Sequence, residues 1–516
     1  MKSHRIVLYF PALKKAAIRP PWSLVALVPP LVEAGYEPEI IDGRLFDDEH
    51  KKIHHILDRI GDDVLFFGVS AITGHQIRDA LHMLRVVKRF RPQTTTVWGG
   101  WHATLQPIKT CENELVDIVV KGQGEVTVVE LADALRTGSN LKDVKGIVFK
   151  AGGSPASTET RKPMDIDYAY HLFDSYIHFD KYYAYQKLLT YDNQLLTVKV
   201  GNVHTSFGCP FNCTFCPISI AKKRVSFRSM NKVLDDIEYL RNIGFDFIEI
   251  DDSNFLIQED RVIQFCEGLT ARKIQIHYSI KGRSEIIMRL SEKTISSLAA
   301  TGCVRVMIGA ESGSDRVLKL LRKGTTVATM LAAVQRLDRC GIYTNVSFMG
   351  AIPGETHEEF KLTINTLLTV ARIAKPPLVN QIPFYCPVPG GELYDQTISL
   401  GFKPPQELEA WSEFDFSSWV DNIDARPWIP RPIQEEMIRV IDGANRLLRI
   451  NDILATARHR FQGRKALFLS AICWPFARLL LAAASYKSLK HTTTHKFLRG
   501  LLYVTNQLFG DEHAYV

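Results

Sequence analysis

The stretch Ser206-Phe207-Gly208-Cys209-Pro210-Phe211-Asn212-Cys213-Thr214-Phe215-Cys216 follows directly on a strand-like run, Val203–Ser206, and sets three cysteines in a C-x3-C-x2-C loop. Thiolates hold iron–sulfur clusters, normally four to a cluster. Three from one loop leave one iron of a [4Fe–4S] cluster without a protein ligand. A small molecule with both an amine and a carboxylate can chelate that iron and be placed for one-electron reduction. The methionine end of S-adenosylmethionine (SAM) carries both groups. The competing reading is structural zinc, which takes four Cys or His ligands in paired knuckles. His204 is the only close histidine, it falls within the predicted strand, and no second C-x2-C is nearby.

Downstream of the loop the same alternation continues, with strand-like runs at Phe245–Asp251, Ile274–Ile280, Val304–Glu311, Tyr343–Met349 and Leu378–Phe384. Helical patterns such as Asn231–Ile243 and Asp260–Thr270 separate them. Six βα units predict a partial or full TIM-like β/α barrel over 196–400. Asp251, Arg283 and Glu311 fall at or just past the C-terminal ends of these strands, where barrel enzymes assemble their sites.

Upstream, residues 1–135 alternate short apolar runs (Ile6–Phe10, Val64–Val69, Thr95–Trp98, Ile118–Val120) with helix-like stretches such as His75–Phe90. That rhythm predicts a Rossmann-like parallel sheet wrapped by helices. Its loops Ser70-Ala71-Ile72, Gly99-Gly100-Trp101-His102 and Gly122-Gln123-Gly124-Glu125 lie at strand C-termini, where open α/β sheets bind ligands. A plain nucleotide site would place G-x-G-x-x-G after the first strand, and that motif is missing. Residues 136–195 have no clean period and read as a linker.

The 516 residues carry a net charge of +7, and the cysteines are too scattered for a disulfide framework, so a reducing, cytoplasmic setting is expected. The N-terminal apolar run ends at Pro11 and reads as a first strand rather than a secretory signal. Between Arg431 and Gly510 there are 13 Lys/Arg against 4 Asp/Glu. This C-terminal loop and helical region (401–516) includes a nearly apolar run, Ala466–Ala484, which approaches a membrane span in length. Pro475 and Arg478 interrupt it, so a buried or interfacial helix is expected. Its basic excess suits either a solvated cap over the barrel or a peripheral contact with an anionic membrane.

The cysteine spacing, with aromatic Phe215 just before the last cysteine, resembles the signature of the radical SAM superfamily. The resemblance implies that Cys209, Cys213 and Cys216 ligate a [4Fe–4S] cluster that cleaves SAM to a 5′-deoxyadenosyl radical. It further implies that Phe215 flanks the adenine and that Asp251, Arg283, Glu311 and Gly350 (in Met349-Gly350-Ala351-Ile352-Pro353-Gly354-Glu355) lie against SAM. The N-terminal unit resembles the cobalamin-binding domain of one large class of these enzymes, which assigns Ser70, Gly99, Gly100, Gly122 and Glu125 to the corrinoid. Methionine-synthase-like domains supply a cobalt-ligating histidine after the first strand. Here Pro11–Arg19 contains none, so the resemblance implies no cobalt-ligating histidine from that loop, and His102 is a poor substitute because a histidine after the glycine pair belongs to the fold motif. The class implies methyl transfer to an unactivated carbon, with radical oxidative cyclisation as the alternative and a corrinoid or redox sensor as the non-enzymatic one. It also implies a lipid-like or porphyrin-like small-molecule substrate and an external flavodoxin- or ferredoxin-type electron donor, with no nucleic acid partner.

Overall fold

The computed structural model describes residues 4–12, 19–192, 194–218, 224–375, 382–414, 423–456, 475–476 and 478–509. Two sheets organise them. The first contains β1 (Arg5–Phe10), β2 (Glu37–Asp42), β3 (Val64–Ser70), β4 (Thr96–Gly99), β5 (Ile118–Val120), β6 (Ile147–Ala151) and β7 (Ser154–Ser157), in the order β2-β1-β3-β4-β5-β6-β7. Strands β1 to β5 are parallel, and β6 and β7 continue the sheet antiparallel. In β1 the consecutive residues Ile6 to Tyr9 are all buried, because helices cover both faces of a parallel sheet and leave no polar side to alternate with.

The second sheet holds β8 (Ala184–Leu189), β9 (Leu195–Val203), β12 (Phe247–Ile250), β13 (His277–Gly282), β14 (Cys303–Glu311) and β15 (Tyr343–Phe348), with a short antiparallel pair, β10 (Ser206–Phe207) and β11 (Ser226–Phe227), beside it. Strands β9 and β12 to β15 are parallel and form an open half-barrel. Strand β8 runs antiparallel to β9. The stretch expected as a linker thus supplies β6 and β7 to one sheet and β8 to the other. Its aromatic run escaped a strand reading because β8 lies at a sheet edge with a mixed burial pattern. The run Leu378–Phe384, expected as a sixth barrel strand, lies partly outside the described residues. Within them Phe384 makes a single parallel bridge to Gly350.

Local capping fixes where helices begin. Helix His357–Ile373 starts in a capping box, with the Thr356 hydroxyl accepting from Glu359 N at 3.3 Å and the Glu359 carboxylate accepting from Thr356 N at 2.9 Å. Near the C-terminus the amphipathic helices Arg431–Thr456 and Thr492–Phe509 pack on one another. Most of the apolar run Ala466–Ala484 lies outside the described residues. No helix among the described residues is long and apolar enough to cross a membrane.

Candidate functional site

The cysteine loop leaves the half-barrel just after β9 and β10, and one carboxylate sets its take-off. Asp252 Oδ1 accepts from the backbone N–H groups of Thr205 (2.6 Å) and Ser206 (3.1 Å), while Oδ2 accepts from both hydroxyls at 2.6 Å. Asp252 is fully buried, so these four bonds replace the water a carboxylate would otherwise keep. Sequence reading singled out Asp251 and missed its neighbour, whose partners lie 46 and 47 residues away. Inside the loop, Cys216 N donates to Cys213 O at 3.2 Å. Burial pushes the Cys209 thiol above its ordinary range, although a backbone N–H from Phe211 opposes the shift.

The strand-end residues arrive around this loop. Arg283, just past β13, donates from Nη1 to the Cys213 sulfur at 3.3 Å, places its guanidinium 3.8 Å from the Phe211 ring centre and pairs with Glu285. Glu311 ends β14 at a bulge with φ +66°, an unusual conformation for a non-glycine, and pairs with Lys323 at 2.8 Å. Lys323 in turn lies 5.8 Å from the centre of the Phe215 ring, which packs with Met349, Ile352 and Leu393. Gly350 is needed for space: a Cβ there would stand 3.0 Å from Phe360 and 3.1 Å from Phe384. Asp251 accepts from Lys281 Nζ (2.8 Å), Asn202 Nδ2 (3.1 Å) and Arg19 Nη1 (3.3 Å). Burial works against its charge, yet Lys281 and Arg19 prevail and hold the carboxyl below its usual range. Among the described residues the three cysteines are not drawn together as a closed metal site; the loop supplies three thiols, and the Arg283 guanidinium beside Cys213 is the kind of N–H donor that suits a thiolate ligand of an anionic cluster.

Between the two sheets runs a cavity of about 330 Å³. One end is an apolar slot within the first sheet's layer, walled by Leu8, Leu27, Phe66, Val97 and Val128. Its mouth carries Ser70, Gly99, Gly100, Gly122 and Glu125, the five residues expected there, and its far side is the half-barrel, at His204, Phe207, Gly208 and Asp251. The slot exists because side chains are absent. A Cβ on Gly68 would lie 3.1 Å from Leu8 Cδ2, and one on Gly124 would lie 3.1 Å from Leu27 Cδ2. Gly100 has φ +92°, and a Cβ there would meet the Ala71 carbonyl at 2.8 Å. Trp22 also lines the cavity, and its buried indole N–H has no partner among the described residues. A glycine-floored apolar slot with an unsatisfied donor at its edge fits a large ligand with a heteroaromatic tail, as a corrinoid has.

The structure places the two histidines differently. His102 lies outside the cavity lining: its Nδ1 meets the Thr73 hydroxyl at 3.0 Å, its ring packs 5.7 Å from Trp411, and burial holds its pKa at about 4. His204, expected within a strand, sits one residue past β9 and lines the cavity. Residues 13–18 of the first loop lie outside the described residues.

Residues 203–367 match the family model of the radical SAM superfamily, and residues 20–132 match that of the B12 binding domain. Over 412 residues the chain is 30% identical to an uncharacterized methyltransferase of Pyrococcus horikoshii, covering 77% of this chain and 84% of that protein. The chain belongs to the radical SAM superfamily. As a radical SAM enzyme with a B12 binding domain, it uses a [4Fe–4S] cluster, SAM and cobalamin, requires reductant and acts on a small molecule. It is also 27% identical to the anaerobic magnesium-protoporphyrin IX monomethyl ester cyclase of Rubrivivax gelatinosus, over 73% of this chain and 66% of that one. The fold is that of TsrM, a radical SAM methyltransferase from Kitasatospora setae solved with cobalamin and a [4Fe–4S] cluster. That match has a TM-score of 0.63 at 17% identity and covers 93% of this chain and all of the other.

Proposed function

We propose that this radical SAM enzyme is a cobalamin-dependent methyltransferase acting on an unactivated carbon. The single observation that carries the reading is the cavity shared by the two sheets, which puts the corrinoid-side residues Ser70, Gly99 and Gly122 opposite the barrel-side residues Gly208 and Asp251. When bound, the cluster and SAM supply a 5′-deoxyadenosyl radical and the corrinoid carries the methyl group. The chain's own residues bind and orient. Cys209, Cys213 and Cys216 hold the cluster, Arg283 neutralises charge at Cys213, and Asp251 offers a carboxylate at the barrel mouth to the amine of SAM. Phe215, Glu311 and Gly350 shape the wall on which the rest of SAM lies.

Incubating the reconstituted enzyme with methyl-labelled SAM, a flavodoxin- or ferredoxin-type donor and candidate substrates tests this. The expected result is labelled product together with 5′-deoxyadenosine. Oxidised, unlabelled product would instead assign radical cyclisation, the reaction named for the Rubrivivax relative. Deoxyadenosine-free mixtures would leave only a sensor.

The C-terminal helix Thr492–Phe509 bears on substrate class. It exposes Phe497 (52%), Tyr503 (66%) and Val504 (48%) beside exposed Lys496 and Arg499. Apolar and basic residues together on one surface helix support peripheral contact with an anionic membrane and a lipid-like or porphyrin-like substrate. Flotation with anionic liposomes should carry the protein upward. Failure to float at low salt would count against the contact.

A further inference from the structure

We infer that the half-barrel binds a carboxylate of the substrate on Lys281, at a site made available when SAM binds. This rests on the reading above in which Asp251 takes the SAM amine, and it names a chemical class within that reading. Three observations carry it.

The first is which side chains face inward. Successive residues of a strand point to opposite faces. Ile250 of β12, Ile280 of β13 and Val306 of β14 are buried in the core, so their neighbours Glu249, Asp251, Lys281 and Arg305 turn the other way. Asn202 of β9 meets them there, donating to Glu249 at 3.0 Å and to Asp251 at 3.1 Å. Beside Lys281 that face is open among the described residues. Its register neighbour Met307 is 38% exposed, and the lysine side chain itself is 35% exposed.

The second is charge. Asp251 is already fully engaged: Oδ1 accepts from Lys281 and Arg19, and Oδ2 accepts from Asn202 and Arg19. Arg19 also pairs with Glu249, and the deeper, buried Arg305 lies in the field of Glu249 and Asp452. Three cations thus balance three carboxylates. The ammonium of SAM adds a positive charge to this closed set, and a charge held away from water needs a partner.

The third is which group gives way. Arg19 keeps Glu249 when it leaves Asp251, whereas Asp251 is the one ion-pair partner of Lys281 among the described residues. Lys281 is also a point charge on a flexible stem, free to swing. The SAM ammonium therefore displaces Lys281, whose own ammonium turns to the open side next to Met307. A substrate carboxylate there restores the balance through a charge-assisted bond, which a neutral ester cannot make. SAM and the acid consequently reinforce one another's binding.

Equilibrium dialysis tests the site on full-length, cluster-reconstituted protein left unreduced, so that SAM binds without being cleaved. Two matched probe pairs separate the sources of such a carboxylate: protoporphyrin IX with its dimethyl ester, and palmitic acid with its methyl ester. In the wild type one acid should bind at least ~10-fold tighter than its ester, and only with SAM present. Lys281→Met should abolish that preference yet bind SAM at least as tightly as the wild type, because a competitor for Asp251 is gone, and Lys281→Arg should keep the preference. Acid and ester binding alike, neither acid binding with SAM present, or Lys281→Met weakening SAM together with the acid overturns the assignment. The last result marks a merely structural lysine. A wild type that binds no SAM fails the reading of Asp251 itself, a result distinct from bound SAM without an acid preference.

Discussion

Arg283 donates to the sulfur of Cys213 at 3.3 Å while its guanidinium faces the Phe211 ring, so a cation is fixed against one of the three cysteines proposed to hold the cluster. Hydrogen bonds to cluster sulfurs and nearby positive charge set the reduction potential. Removing a charge-assisted bond of this kind costs about 1.5–3 kcal/mol. Arg283→Gln should lower the cluster's potential by tens of millivolts and slow SAM cleavage by at least ~10-fold. Arg283→Lys should restore the charge but not the fork, giving an intermediate potential in a redox titration.

Asp252 anchors the residues ahead of the cysteine loop through four bonds to Thr205 and Ser206. Asp252→Ala leaves two buried N–H groups and two hydroxyls without their acceptor, and should destabilise the fold by ~3–5 kcal/mol. Asp252→Asn keeps one acceptor oxygen and should lose less. Denaturant midpoints and iron content per chain measure the two effects, and iron should fall with stability.

At the corrinoid mouth, Gly100→Ala asks for φ near +92° with a Cβ 2.8 Å from the Ala71 carbonyl. The backbone must move, at a cost of ~1–3 kcal/mol. Corrinoid retained after gel filtration should drop sharply, while the [4Fe–4S] absorbance of the same sample should stay, because Gly100 follows β4 of the first sheet and the cysteine loop follows the second. Equal loss of both would refute a local role.

Buried His102 makes stability depend on pH. Its folded pKa of about 4 lies below the ordinary value of 6.5, so between these limits the unfolded chain binds the proton and the folded one does not. Stability is therefore full above pH 6.5 and falls as pH drops toward 4, by about 1.4 kcal/mol per unit. His102→Gln should flatten that part of the curve in thermal melts from pH 7 to 4.5. A wild-type melt as flat as the variant's would contradict the assignment.

What the chain determines by itself is what short segments encode. The C-x3-C-x2-C spacing, the glycine loops at Gly99–Gly100 and Gly122–Gly124, and the alternation of apolar strands with helices are all local patterns, legible because backbone geometry and burial act over a few residues. Tertiary structure decided the rest. The reversed β8, the anchoring of Thr205 by Asp252 and the contact of Arg19 with Asp251, 232 residues apart, depend on which segments meet. The same is true of His102 and His204. His102 follows a predicted strand end and His204 falls within a predicted strand, and only tertiary packing turned one ring onto Trp411 and left the other facing the cavity.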